Sequence, residues 1–206
     1  VDSMLLRQDV RRILEGYRDR GFWRVGVAFP EIRKQNGDAV VEFQVTGNSV
    51  TRVDSIQMIG DLVFEEADIR AALGFERGEV LIASNLNQKI DGLLRFYENR
   101  GYPFCELRPD VQFGEVGALM QVDVLPGPFV RIDTVQFEGN KVTQTDVLMR
   151  HLPFVLGEAY DQRKVDNFAA RLRRLAFLED VETPTIELIG EQMVLVIGVR
   201  EARNAR

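Results

Sequence analysis

Cysteine, histidine and tryptophan each occur once in the 206 residues, as Cys105, His151 and Trp23. A single cysteine excludes a disulfide framework within the chain and a thiolate metal cage. A single histidine with no ligand-spaced partners leaves zinc no site, so neither metal nor cofactor is expected. Basic residues are the minority, 26 Lys and Arg against 32 Asp and Glu, for a net charge of -6. That balance excludes a nucleic-acid binder, which gathers phosphates on a basic face, and a polybasic membrane patch. No run approaches the roughly 18 apolar residues of a spanning helix. No basic-then-apolar leader opens the chain, and helical periodicity sets in at once, as expected of a mature fragment. What is there, 45% hydrophobic and 28% charged residues, suits folded protein, in one large domain or two to three small ones.

An internal repeat organises the chain. Arg52-Val-Asp-Ser-Ile-Gln-Met-Ile-Gly60 matches Arg131-Ile-Asp-Thr-Val-Gln-Phe-Glu-Gly139, 79 residues on, and Gly78-Glu79 recurs as Gly157-Glu158 at that offset. Leu6, Val10, Ile13, Leu14, Tyr17, Arg20, Gly21 and Phe22 match Leu86, Ile90, Leu93, Leu94, Tyr97, Arg100, Gly101 and Tyr102 at an offset of 80. The boundaries follow: a partial copy over 1–48, then complete copies over 49–127 and 128–206.

Within the middle copy, 52–60 alternates as a strand and ends on a glycine. Residues 65–73 place Ile69, Ala72 and Leu73 on one side of a short helix. Positions 86, 90, 93, 94 and 97 form the stripe of a longer amphipathic helix, closed by Arg100-Gly101. Cys105, Leu107, Val111 and Phe113 alternate with Glu106, Arg108, Asp110 and Gln112 in a half-buried strand. Met120, Val122 and Val124 mark another strand, and Leu125-Pro-Gly-Pro128 leads out as a restricted joint. The boundary at Thr46-Gly-Asn-Ser49 reads as looser. The last copy repeats the order: a strand near 130–138, and a short helix capped by Thr143 with Asp146 behind it. A longer helix carrying Val165, Phe168, Leu172 and Leu175 follows, then strands near 181–188 and 192–200. In the partial copy Val25, Val27 and Phe29 make one strand and Val41, Phe43 and Val45 the next, across an Asn36-Gly37 turn. The fold class is α+β, with modules of order β-α-α-β-β. Each is a three-stranded mixed sheet with two helices on one face and a modest core.

At this point the chain resembles the POTRA array in front of the barrel in the BamA/TamA outer-membrane superfamily. The resemblance rests on Val135-Gln-Phe-Glu-Gly-Asn140, Gly157-Glu-Ala-Tyr160 and Leu172-Arg-Arg-Leu-Ala-Phe-Leu-Glu-Asp-Val181. Tyr97-Glu-Asn-Arg-Gly-Tyr102 and its partner Tyr17-Arg-Asp-Arg-Gly-Phe22 add to it. It covers nearly the whole chain, departing at Asp61, where the later copy has Asn140, and at Leu178-Glu179, where an Arg-Gly helix exit is absent. The resemblance implies the periplasmic side of the bacterial outer membrane and a C-terminal β-barrel in the same protein. It also implies binding of unfolded outer-membrane proteins or accessory outer-membrane lipoproteins. A two-partner-secretion transporter uses the same module, and a passive spacer stands as a third reading.

In such a module the chemistry lies in the backbone, since an exposed sheet edge lets an extended strand add to it. Pro109 and Pro184 fall inside second strands, and proline is confined largely to edges. Met193-Val-Leu-Val-Ile197 is continuously apolar, as a central strand is. The expected client-binding edge is therefore the second strand: Cys105, Glu106, Leu107, Arg108 and Gln112 in the middle copy, Thr183, Thr185 and Glu187 in the last. The same prolines also suit protection against aggregation. No catalytic residue is expected. His151 reads as a structural histidine and Cys105 as a small buried hydrophobe. The adjacent pairs Glu65-Glu66 and Glu179-Asp180 read as charges at helix ends.

Overall fold

The computed structural model describes residues 3–28, 30–35, 38–47 and 49–202. In chain order the elements are α1 (Ser3–Arg18), β1 (Gly26–Val27), β2 (Glu31–Gln35), β3 (Asp38–Glu42), β4 (Val45–Thr46), β5 (Val53–Gly60), α2 (Glu66–Leu73), α3 (Ala83–Glu98), β6 (Glu106–Phe113), β7 (Ala118–Leu125), β8 (Thr134–Glu138), α4 (Thr145–Met149), α5 (Gln162–Leu172), β9 (Leu178–Val181), β10 (Thr185–Ile189) and β11 (Gln192–Glu201). After the partial copy, the order strand, helix, helix, strand, strand appears once, and then again with its second strand divided into β9 and β10. Two compact units result, Val1–Leu93 with Leu107–Val124, and Leu94–Glu106 with Leu125–Arg206.

In the first unit the sheet order is β5-β7-β6, with β5 parallel to β7. The strand that closes each repeat is central. Its alternate side chains Ala118, Met120, Val122 and Val124 are buried, facing the helices as period two requires. Ile69, Leu73 and Leu93 complete that core. In the second unit β11 runs between β8, parallel, and β10, antiparallel, and its far end also pairs with β9. Val194, Leu195, Val196 and Ile197 are all buried, so the unbroken apolar run does mark a strand enclosed on both faces.

Three local readings need correction. The stretch expected as one strand near 181–188 is two. Val181 pairs with Val199 and Thr185 with Val196, so residues 182–184 face only 197 and 198. Pro184, which has no N–H to give the ladder, sits in that bulge. The partial copy is divided too: β1 pairs with β4 and β2 with β3, and Pro30 lies outside both β1 and β2. Gln35 faces Asp38 across the expected turn; Asn36-Gly37 itself, like Phe29, lies outside the described residues. Second, α4 starts after Gln144, not Thr143. The Thr143 N–H is taken by Glu201 instead. Third, α5 ends at Leu172, leaving Leu175 beyond it.

The repeated residues have structural work. Arg52 donates from Nη1 to the Gly78 carbonyl at 2.8 Å, and Arg131 to the Gly157 carbonyl at 3.0 Å. Both glycines are left-handed, with φ of 86° and 87°. The glutamate after each pairs with a lysine of the longer helix, Glu79 with Lys89 at 2.7 Å and Glu158 with Lys164 at 2.6 Å. Each opening strand is thus strapped to the helix that covers its sheet.

Candidate functional site

β6 and β10 each end their sheet on one side, because β7 and β11 take the central position. On β6, Leu107 and Val111 are half-buried, while Glu106, Arg108, Pro109, Asp110 and Gln112 are exposed. Gln112 donates to Asp110 Oδ2 at 3.1 Å. On β10, Thr185 and Glu187 are exposed, joined by a 3.3 Å bond from Thr185 Oγ1, and Ile186 is half-buried. The strand carries Leu188 at 68% exposure, an apolar side chain available to a partner.

Two of the expected edge residues are not strand residues. Cys105 precedes β6 and is buried. Burial, then the charges of Glu98 and Glu106, push its thiol up to about 12, so it is neither a docking group nor a ready nucleophile. Thr183 lies in the bulge between β9 and β10. The other six expected residues share two strands at sheet ends.

The carboxylate pairs do ordinary pairing. Glu66 holds Arg70 at 2.7 Å one turn along α2. Glu179 and Asp180 lie in β9 and not at a helix end, and both reach Arg200, at 3.3 and 3.5 Å. His151 is half-buried just after α4, its backbone N–H donating to the Leu148 carbonyl at 3.1 Å. Among the described residues no group of three or more His, Cys, Asp or Glu side chains could hold a metal ion. Nor is any helix among them long and apolar enough to cross a membrane.

No sequence pattern points to the role of Glu201. Its carboxylate accepts from three successive backbone N–H groups, Lys141 at 3.1 Å, Val142 at 3.0 Å and Thr143 at 2.6 Å. The Thr143 bond above all holds the Glu201 carboxyl below its ordinary range. A lowered carboxyl contributes stability above its unfolded pKa and loses it as pH falls through the folded one. The β8–α4 loop is therefore tied to the end of β11 at neutral pH and released in acid. Glu201→Gln is expected to raise amide hydrogen exchange at 142 and 143 about fivefold or more at pH 7. It should also flatten the pH dependence of that exchange below about pH 5. Unchanged exchange would mean the loop is held by other contacts.

Against known proteins, the family model POTRA, described as "Surface antigen variable number repeat", matches residues 51–125 and 130–202. Outer membrane protein assembly factor BamA of Neorickettsia risticii (strain Illinois) is 21% identical over 200 residues, covering 95% of this chain and 27% of that protein. BamA of Nitratidesulfovibrio vulgaris is 22% identical over 204 residues, covering 96% and 26%. The chain thus spans about a quarter of the length of the curated relatives it matches. The crystal structure of Haemophilus influenzae BamA POTRA3-5 superposes with a TM-score of 0.70 at 20% identity, over 95% of this chain and 80% of that one. BamA from Haemophilus ducreyi lacking POTRA domains 1-3 gives 0.66 at 21%, over 73% and 29%. At such identity the likeness is one of fold.

Proposed function

We propose that this chain, which belongs to the POTRA family, is the periplasmic polypeptide-handling region of an outer-membrane β-barrel assembly protein. Its modules are the partial copy 1–48 and the complete copies 49–127 and 128–206. Clients are unfolded outer-membrane proteins, accessory lipoproteins are further partners, and a C-terminal β-barrel belongs to the same protein. Extended client segments add to the outer edge of β6 through Glu106, Leu107, Arg108 and Gln112, and to that of β10 through Thr185 and Glu187. The reading is carried by the position of the second strand at a sheet end in both complete copies. An edge strand offers unpaired N–H and C=O groups along its length, so main-chain hydrogen bonds supply affinity for many sequences. The exposed face of β6 is charged and β10 is short, which suits transient holding over permanent pairing.

A photo-crosslinking side chain placed at Arg108 or Glu187 is expected to capture an uncharged outer-membrane β-strand peptide, and one at Asp91, exposed on α3, is not. Equal capture at all three positions, or none at 108 and 187, would remove the edge from the reading.

A further inference from the structure

The opposite edge of the first unit has different chemistry. Along the outer side of β5 three hollows run into one another. The first, of ≈ 190 Å³, is lined by Arg24, Thr51, Arg52 and Val116 among others. The second shares Arg52 and Val116 with it and adds Asp54 and Arg77. The third, of ≈ 430 Å³, shares Asp54 and Arg77 and continues past Ser55 to Arg70 and Phe75. The result is a groove that follows residues 51–56 into the first half of β5, walled by the end of α2 and by the β6–β7 hairpin.

Its charge runs against that of the chain. Four guanidiniums line it against two carboxylates, Asp54 and Glu115, in a protein of net charge -6. Arg70 and Arg77 are paired, with Glu66 at 2.7 Å and Asp54 at 3.0 Å. Among the described residues Arg24 and Arg52 form no ion pair: their bonds go to backbone carbonyls, those of Gly114 and Gly78. A carbonyl positions a guanidinium without neutralising it, and a guanidinium keeps free donors after one such bond. Both side chains are exposed, and they share the first hollow. Val116, 88% exposed, supplies an apolar contact beside them.

We infer that the groove along the outer edge of β5 binds an extended, acidic polypeptide segment, whose carboxylates meet Arg24 and Arg52. The site is separate from the β6 and β10 edges and does not rest on docking there. Its selectivity is for charge, where theirs is for strand conformation.

The test is fluorescence anisotropy at low salt on the 206-residue chain with two labelled peptides. One alternates Glu with Val and Thr; the other has Lys at every Glu. The acidic peptide is expected to bind about tenfold or more tightly than the basic one. Arg24→Glu with Arg52→Glu should weaken the acidic peptide about tenfold or more. Arg52→Lys, which keeps the charge and gives up the guanidinium bond to the Gly78 carbonyl, should stay within about threefold of the parent. Arg11→Glu, exposed on α1 and outside both the groove and the β6 edge, should leave the affinity unchanged. Circular dichroism melting establishes that each variant is folded. Equal binding of both peptides, or full affinity in a folded double Glu variant, overturns the inference. So does a loss from Arg11→Glu as large as that from the groove variant.

Discussion

Gly139→Ala is expected to destabilise the second unit by roughly 3 kcal/mol or more, a large part of what a domain of this size holds. Two costs combine. Gly139 has φ of 93°, where an L side chain is strained by about 1–2 kcal/mol. A Cβ there would also stand 2.1 Å from the Val199 carbonyl oxygen and 3.3 Å from its carbon. Those atoms belong to the central strand β11, which is buried against β8 and cannot give way without moving the sheet. Gly157 separates the two costs. Its φ is 87°, yet a Cβ there would meet nothing within 4 Å, so Gly157→Ala pays the conformational term alone, about 1–2 kcal/mol. Urea unfolding followed by circular dichroism gives both values. If Gly139→Ala cost no more than Gly157→Ala, the close approach to β11 would not be a real constraint. Gly60, with φ of 93° and a Cβ position 2.3 Å from the Val124 oxygen, should behave as Gly139 does.

That repeated glycine shows what the sequence could convey. Gly60 and Gly139 stood out through the 79-residue offset, and the offset exists because the same strand end meets the same central strand in each unit. Element order, the helical stripes and the central position of 193–197 were legible for a similar reason: each follows from side-chain period and burial. Edge position was read from Pro109 and Pro184, and β6 and β10 do end their sheets.

What escaped depends on geometry between distant segments. The longer helices align at an offset of 75, not 79. Lys89 and Lys164 make the same bridge, and Ile90, Leu93 and Tyr97 correspond to Val165, Phe168 and Leu172. One helical turn is missing before α5, so the fixed offset carried Leu175 onto a helix that had already ended. Asp54 and Asp133, identical in the repeat, do different things: one pairs with Arg77, the other accepts from the Met193 N–H. Glu201 and the arginines of the β5 groove act through contacts from other parts of the chain, which no periodicity encodes.

The same one-turn shift leads to the second large effect. Where the middle copy has Leu93 and Tyr97, both without exposed surface, the last copy has Phe168 and Leu172. The aromatic ring moves one turn toward the helix start. Phe168 accordingly sits at the centre of its core, among Val165, Leu172, Leu195 and Ile197. Edge-to-face contacts join it to Phe137 at 6.1 Å and Phe154 at 6.3 Å. Phe168→Ala removes the ring and leaves a cavity that two flanking aromatics and a central strand cannot close, for a cost of about 3–5 kcal/mol. Phe168→Leu restores the side chain its counterpart carries and should cost about 1–2 kcal/mol, because most of the volume returns and only the ring contacts are lost. Trp23, the one indole, belongs to the first unit. Its fluorescence is therefore a poor reporter of this change, and amide exchange at Leu195 and Ile197 is the proper measurement. Exchange there should rise by about two to nearly four orders of magnitude in the alanine variant and by about tenfold in the leucine variant, following the loss in opening free energy. An alanine variant whose β11 amides stayed as protected as the parent's would place the stabilising contacts of this sheet elsewhere than on the α5 stripe.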